Sequence, residues 1–449
     1  MKIKRKIGFI VMCSLFGGQC YAGSEIETLI KMLHANGTVD DAQYGRLMDE
    51  IRAGSAKGTG KNKQMQAETI RPEQLDSISN VAVKVDKGGI KVASKDGEFE
   101  AKIGGRVQVD TAFYDEDGTE MGNGTEIRRA RVYIQGKMFY DWGYKLQYDF
   151  TGTGRGGIKD AFLTYNGFDK TELKVGNFKD PFMLQEQTSS KHIIFTERSL
   201  VDAFATGRHI GAMASTKHKH WTAGLGFFGD AVNTASKGKD EGWGVAGRAT
   251  YAPVNDKTRV VHIGMAADYR ETGDRESLRF KQQPETHISG VNIVDTGIIS
   301  GADNYLKLGA ELALVEGPFS AQAEYVWTTV ERNIGADLDF DGWYVQAAYF
   351  LTGESRRYKK GKFAGVSPKS IVGLDGIGAW QLAARYSVVD LNDADINGGK
   401  AESVTLGLNW LPTSTLRFSG NYVKTLNVNG GSHNGEEPSL FQLRGQVAF

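Results

Sequence analysis

The chain has 449 residues with 54 basic and 54 acidic side chains, a balance that argues against nucleic-acid binding. It is rich in glycine (57) and poor in proline (8). Its two cysteines, Cys13 and Cys20, both lie within the first 22 residues, which leaves no disulfide framework or thiol chemistry downstream. No apolar run after Ala22 approaches the roughly 18 residues of a membrane helix, so any membrane crossing must use a closed β-barrel.

Residues 1–22 open with Lys2, Lys4, Arg5 and Lys6, continue with an apolar run over 7–16 and end on Cys20-Tyr21-Ala22. This is the pattern of a cleaved secretory signal peptide. Gln19 stands where a lipoprotein signal needs a small residue before the cysteine, so cleavage after Ala22 is favoured over lipidation. Cleavage removes four basic and no acidic residues, and the mature net charge becomes about −4. Over 23–56, Ile26, Leu29, Ile30 and Leu33 recur at helical spacing, Asn36-Gly37 interrupts them, and Leu47, Met48 and Ile51 resume, which predicts a short helical hairpin. Residues 57–98 read as a linker, polar and rich in Gly, Lys and Gln over 57–80.

From residue 99 onward a two-residue alternation dominates. It predicts sixteen strands at 101–114, 126–139, 144–151, 158–166, 171–178, 208–217, 221–229, 241–252, 258–270, 303–314, 319–331, 341–351, 376–390, 400–411, 415–427 and 438–449. The connections alternate short and long. The short ones (140–143, 167–170, 218–220, 253–257, 315–318, 412–414) are separated mostly by longer polar ones (115–125, 179–207, 230–240, 271–302, 332–340, 391–399, 428–437). Tight periplasmic turns and long external loops explain this rhythm in an outer-membrane barrel. The basic segment 352–375 breaks it, which implies either a miscounted strand or an ordered basic loop at the periplasmic mouth. Tyr140, Trp142, Tyr144, Trp221, Tyr251, Trp380 and Trp410 fall near strand ends, as interfacial aromatics do. The last strand sets Phe441, Leu443, Val447 and Phe449 against Gln442, Arg444 and Gln446. Such a strand suits barrel closure, with Phe449 as the signal to the assembly machinery.

The same alternation points basic groups inward. Arg106, Gln108 and Asp110 oppose the outward Ile103, Val107 and Val109. Arg129, Arg131, Tyr133, Gln135 and Lys137 oppose Ala130, Val132, Ile134 and Met138. Basic rings in a lumen select anions, and arginine's planar fork suits oxyanions. Loop 179–207 carries Ile193, Ile194 and Phe195, ill-suited to water. It is expected to fold into the barrel and narrow the channel with Lys191 and Arg198.

The segments GGRVQVD (104–110), EIRRARVYI (126–134), DWGYKLQYDF (141–150), KDAFLTYNGF (159–168), LKVGNFKDPF (173–182), TSSKHIIFTER (188–198), GPFSAQAEY (317–325), YFLTGESRRYK (349–359), IGAWQLAARY (377–386) and LGLNWLP with NYVK (406–424) together resemble the phosphate-selective porin family, porins O and P. The resemblance implies an all-β, sixteen-stranded antiparallel transmembrane barrel and a homotrimer in the outer membrane of a Gram-negative bacterium. It implies passive diffusion of small anions such as phosphate or polyphosphate; no Ser/His/Asp or paired-carboxylate constellation is readable, so neither an enzymatic activity nor a cofactor is expected. By the same resemblance Arg106, Arg128, Arg129 and Arg198, with Lys191, belong to an anion-binding constriction, although the phase of Arg128 is lipid-side. An arginine ladder leading anions inward belongs in loop 271–302, where Arg275, Arg279 and Lys281 stand but Gln282, Gln283, Pro284, Glu285 and His287 follow. Two further departures are Glu186, where phosphate-specific members place a lysine, and Lys159, where they place an acid. The alternatives are a general small-solute porin without phosphate selectivity and a structural or adhesive outer-membrane barrel. His218 and His220 sit in a tight turn, and TGTGRGG (151–157) lacks the Lys-Ser/Thr of a phosphate loop.

Overall fold

A computed structural model describes residues 81–86, 88–152, 154–234, 238–374 and 376–449, with positions 31, 34, 40–42, 44–46, 48 and 49. The proposed signal peptide and residues 57–80 lie outside the described residues. Within 23–56 the described positions 31, 34, 41, 42, 44–46, 48 and 49 are helical. The chain divides into two units, residues 1–75 and 76–449.

The second unit is a closed antiparallel barrel of sixteen strands: Glu100–Asp115, Gly124–Met138, Trp142–Asp149, Ile158–Phe168, Thr171–Lys179, Arg208–Lys217, Trp221–Phe228, Trp243–Asn255, Arg259–Glu271, Ala302–Glu316, Phe319–Arg332, Leu338–Phe350, Ala379–Asp393, Ile396–Leu411, Leu416–Asn429 and Ser439–Ala448. The alternation places every one of them within a few residues. The last strand pairs with the first from Ser439↔Asp115 to Ala448↔Arg106. Phe441 and Leu443 are exposed on the outer wall while Gln442 and Arg444 are buried inside, as a lipid-facing and lumen-facing period of two requires.

Closure finishes on Phe449, whose N–H donates to Gly105 O (3.0 Å) while Gly105 N–H donates to Phe449 O (2.8 Å). The aromatic ring lies over Gly105, where an added Cβ would meet it at 3.0 Å and the Arg131 carbonyl at 2.6 Å. Deleting Phe449 removes this last pair and the ring. The expected result is reduced assembly of heat-resistant barrel in outer-membrane fractions, and normal levels of folded protein would show that the terminal aromatic is dispensable.

Two expectations need correction, and one alternative left open by the sequence is decided. Residues 57–98 are not linker throughout, because Val81–Asp86 and Gly89–Ser94 form a β-hairpin whose second arm pairs with Glu100–Ile103. The closing strand stops at Gly105, so the start of the first strand would otherwise be an open edge. The lysines of this segment (84, 87, 91, 95) mask its Val81, Val83, Val85 alternation. The predicted loop 391–399 is a two-residue turn at Ala394-Asp395, with Ala394 at φ 47°, because the strand pairing continues through the polar Asn392↔Asn397 and on to Asp393↔Ile396. Among its described residues, segment 352–375 contains no barrel strand and is an ordered loop, the second of its two alternatives. It carries a small hairpin, Arg357–Lys359 with Lys362–Ala364, folded into the barrel. Phe363 buries against Leu184, Val260, Ala313 and Val315, and Arg248 donates to the Gly361 carbonyl (2.8 Å).

The third long loop, residues 180–207, also folds inside. Ile194 and Phe195 pack on Ala348 and Ala383, as the apolar content of that loop predicts. Phe182, Met183, Leu200, Val201 and Phe204 join Phe280, Ile293, Val294 and Ile299 of loop 272–301 against Val326, Val330, Leu338 and Phe340 of the inner wall. Burial of that many large side chains, at about 1.5–3 kcal/mol each, anchors both loops on one side of the lumen.

Candidate functional site

The opposite side of the lumen stays open. A cavity of about 480 Å³ is bounded by Arg106, Arg129, Arg131, Lys145, Lys174 and Arg208 on the wall, by Lys179, Lys191 and Arg198 at or in the inward loop, and by Lys362 from the short-turn end. Only Asp160 and Glu186 oppose these ten cations along the lining. Alternation in consecutive strands explains the wall set, since inward positions of the first six strands lie side by side on one wall of the lumen.

Several of the cations are already neutralised. Asp149 takes Arg131 (2.6 Å), Asp160 takes Arg208 (2.8 Å) and Lys145, and Glu172 takes Lys174 (3.2 Å) and Lys217 (3.0 Å). Lys159 donates to the Gly156 carbonyl (2.9 Å), so the acid facing the lumen in this strand is its neighbour Asp160. Glu186 binds Lys179 (2.9 Å) and Arg198 (3.0 Å). Burial alone would raise its carboxyl, but Arg198 and Lys179 outweigh burial and hold it at about 2. Arg198 also donates to the carbonyls of Gln185 (3.1 Å) and Thr188 (3.4 Å), so it holds the loop's shape as well as lining the cavity.

Three cations stand apart. Among the described residues no carboxylate lies within ion-pair distance of Arg106, Lys191 or Lys362. Arg106 donates to Ser189 Oγ (3.1 Å), and its Nε is buried without a partner. Ser189 and Ser190 line the cavity beside it. Burial and then the Arg106 charge draw the Lys191 ammonium down to about 8, and burial with Lys174 and Arg248 nearby does the same for Lys362. Guanidinium, ammonium and hydroxyl donors converging with no acid among them can replace part of an oxyanion's hydration shell.

Of the residues expected at the constriction, Arg106, Arg129, Lys191 and Arg198 line this cavity. Arg128 does not, yet it points inward. Gln108 pairs with Arg129 and Val109 with Ile127, so Arg128 is the extra residue of a β-bulge and escapes the strict alternation. Its guanidinium binds Glu197 (2.8 Å), which also takes Arg129 (3.5 Å) and Arg444 (2.7 Å). The ladder residues are not a row of free cations: Arg275 pairs with Asp230, Arg279 with Asp295 (2.5 Å), and Lys281 stands opposite Asp295 in a two-residue strand pair. Glu285 reaches inside instead, accepting from Arg385 Nε (3.1 Å) and Ser387 (2.6 Å). Arg131 was already on the inward phase, and the phase of Lys145 and Lys174 was readable in the same way. Lys362 was not, because its position depends on how a loop docks.

The profile of the family described as phosphate-selective porin O and P matches residues 101–449. Porin O of Pseudomonas aeruginosa is 29% identical over 427 residues, covering 85% of this chain and 94% of that protein. An uncharacterized protein of Caulobacter vibrioides is 32% identical over 351 residues, covering 75% and 70%. Among solved structures, an anion-selective porin from Comamonas acidovorans superimposes with a TM-score of 0.50 at 14% identity, over 78% of this chain and all of that one, a likeness of fold. With a sixteen-stranded barrel, a loop folded into its lumen and a family match over residues 101–449, the chain belongs to the phosphate-selective porin O and P family, outer-membrane channels of Gram-negative bacteria.

Proposed function

We propose that this channel passes small inorganic anions, with Arg106, Lys191 and Lys362 setting its preference. The observation that carries this reading is the 480 Å³ lumen cavity, lined by ten cations against two acids. A fixed positive potential there concentrates anions and repels cations. The Glu186 bridge to Lys179 and Arg198 supports a broad anion preference over tight phosphate binding, since the two cations it holds are not free to bind oxyanions. The family resemblance also supports a homotrimer, cleavage of residues 1–22 and recognition of Phe449 by the assembly machinery.

Reversal potentials of single channels in a chloride gradient test the reading, and a reversal potential favouring cations would overturn it. A pH titration sharpens the test. Lys191 and Lys362 both lose their protons as pH rises through about 8. Anion preference is therefore full at pH 7 and should fall roughly several-fold by pH 9.5, with a midpoint near 8. In the Lys191→Met, Lys362→Met double variant the preference should be lower at pH 7 and should fall less over this range. A flat wild-type profile would remove both lysines from the mechanism.

A further inference from the structure

Behind the inward-folded loop, on the far side of Lys191 from the basic cavity, lies a second crevice of about 60 Å³. It is enclosed by that loop, by Arg356 and residues 364–366 of the neighbouring segment, and by the short-turn ends of the last five strands. At roughly 10–15 Å³ per water it has room for about four waters, the scale of one small inorganic anion. Its charged lining is Lys191, Arg356 and Arg417, with the neutral His192 beside them and no carboxylate.

The two arginines are held in place but not neutralised. Arg356 is buried, donates to Gln322 Oε1 (3.0 Å) and stacks on the Phe363 ring at 3.5 Å. Arg417 donates to the carbonyls of Ile193 (2.5 Å) and Ile194 and to Asn409 Oδ1 (2.8 Å), and its Nε is buried without a partner. No ion pair involves either residue among the described residues. Burial, offset in part by Tyr344 and reinforced by Arg417, draws the Arg356 guanidinium down to about 9. Two desolvated guanidinium groups with no counter-charge are unfavourable, and an anion between them would relieve the cost. The neighbouring contact joins the two loops. An added Cβ at Gly365 would lie 2.7 Å from the His192 ring.

We propose that this crevice binds one small inorganic anion as the fixed counter-ion of Arg356 and Arg417, clamping segment 351–378 to the constriction loop. This anion is structural and separate from those in transit, so the site is occupied whether or not the channel is anion-selective.

Bromide is the probe. Crystals of the full chain grown in sodium bromide should show an anomalous peak in contact with both guanidinium groups. A peak only in the Arg106 cavity, or none at either place, would overturn the site. In detergent, bromide in place of gluconate should raise the unfolding temperature by roughly 5 °C. The rise should persist in Arg106→Gln and vanish in Arg356→Gln and Arg417→Gln. An equal rise in all four proteins would place the stabilising anion elsewhere.

Discussion

Replacing Arg106 with glutamate is expected to turn the channel from anion-preferring to cation-preferring. Arg106 is buried in the lumen wall, carries no ion pair among the described residues and lines the same cavity as Lys191. At close range in a lumen whose effective dielectric is well below that of bulk water, a unit charge contributes on the order of 1–4 kcal/mol, so reversing it changes a permeability ratio by about ten-fold or more. In a wide pore the roughly 8–10 Å screening length would reduce the change to little. The barrel should fold normally, because the side chain makes a single hydrogen bond, to Ser189, and the new carboxylate has Arg131 directly across the strand pair. Arg198→Glu is a contrasting case. It would set a carboxylate against Glu186 and Asp202 and should fail through loss of loop structure. An unchanged reversal potential in Arg106→Glu would mean that this cavity is not the selectivity filter.

The second expectation concerns Glu186→Gln. The wild-type carboxylate ties up Lys179 and Arg198, and its removal releases both toward the lumen. Phosphate should then block chloride current at roughly a ten-fold lower concentration, the effect of about 1.4 kcal/mol in binding. The gain costs stability, since removing one partner of a buried pair costs about 3–5 kcal/mol where the other charge stays buried. Here the cations reach lumen water, so the loss should fall at or below the lower figure. The acid profile separates the two effects. A carboxyl held at about 2 against 4.5 stabilises the fold above pH 4.5, and that contribution is lost as pH falls toward 2. The variant should be less stable than wild type at pH 7 and indistinguishable from it near pH 2. If phosphate block is unchanged while stability drops, Glu186 serves only to shape the loop.

Much of this was legible in the sequence because a barrel wall obeys a local rule. Each strand must show one face to lipid and one to water, so residue parity alone placed Val107 and Val109 outside and Arg106, Gln108 and Arg129 inside. The same rule fixed the strand number and the closure on Phe449, and the apolar patch at Ile193, Ile194 and Phe195 required loop 179–207 to leave water. Other features depend on contacts between segments far apart in the chain, and no local pattern encodes them. A single bulge turned Arg128 from the lipid phase into the lumen. Apolar inward positions at Val326, Val330, Leu338 and Phe340 gave loop 272–301 a surface to dock on, which drew Glu285 onto Arg385 and left the expected ladder as surface ion pairs. Residue 186 reads as a departure in the sequence. Only the folded loop decides that its charge falls between Lys179 and Arg198, and only docking of the 357–364 hairpin brings Lys362 to the pore. Parity is a property of one strand, whereas neutralisation is decided by which charges the closed barrel brings within ion-pair distance.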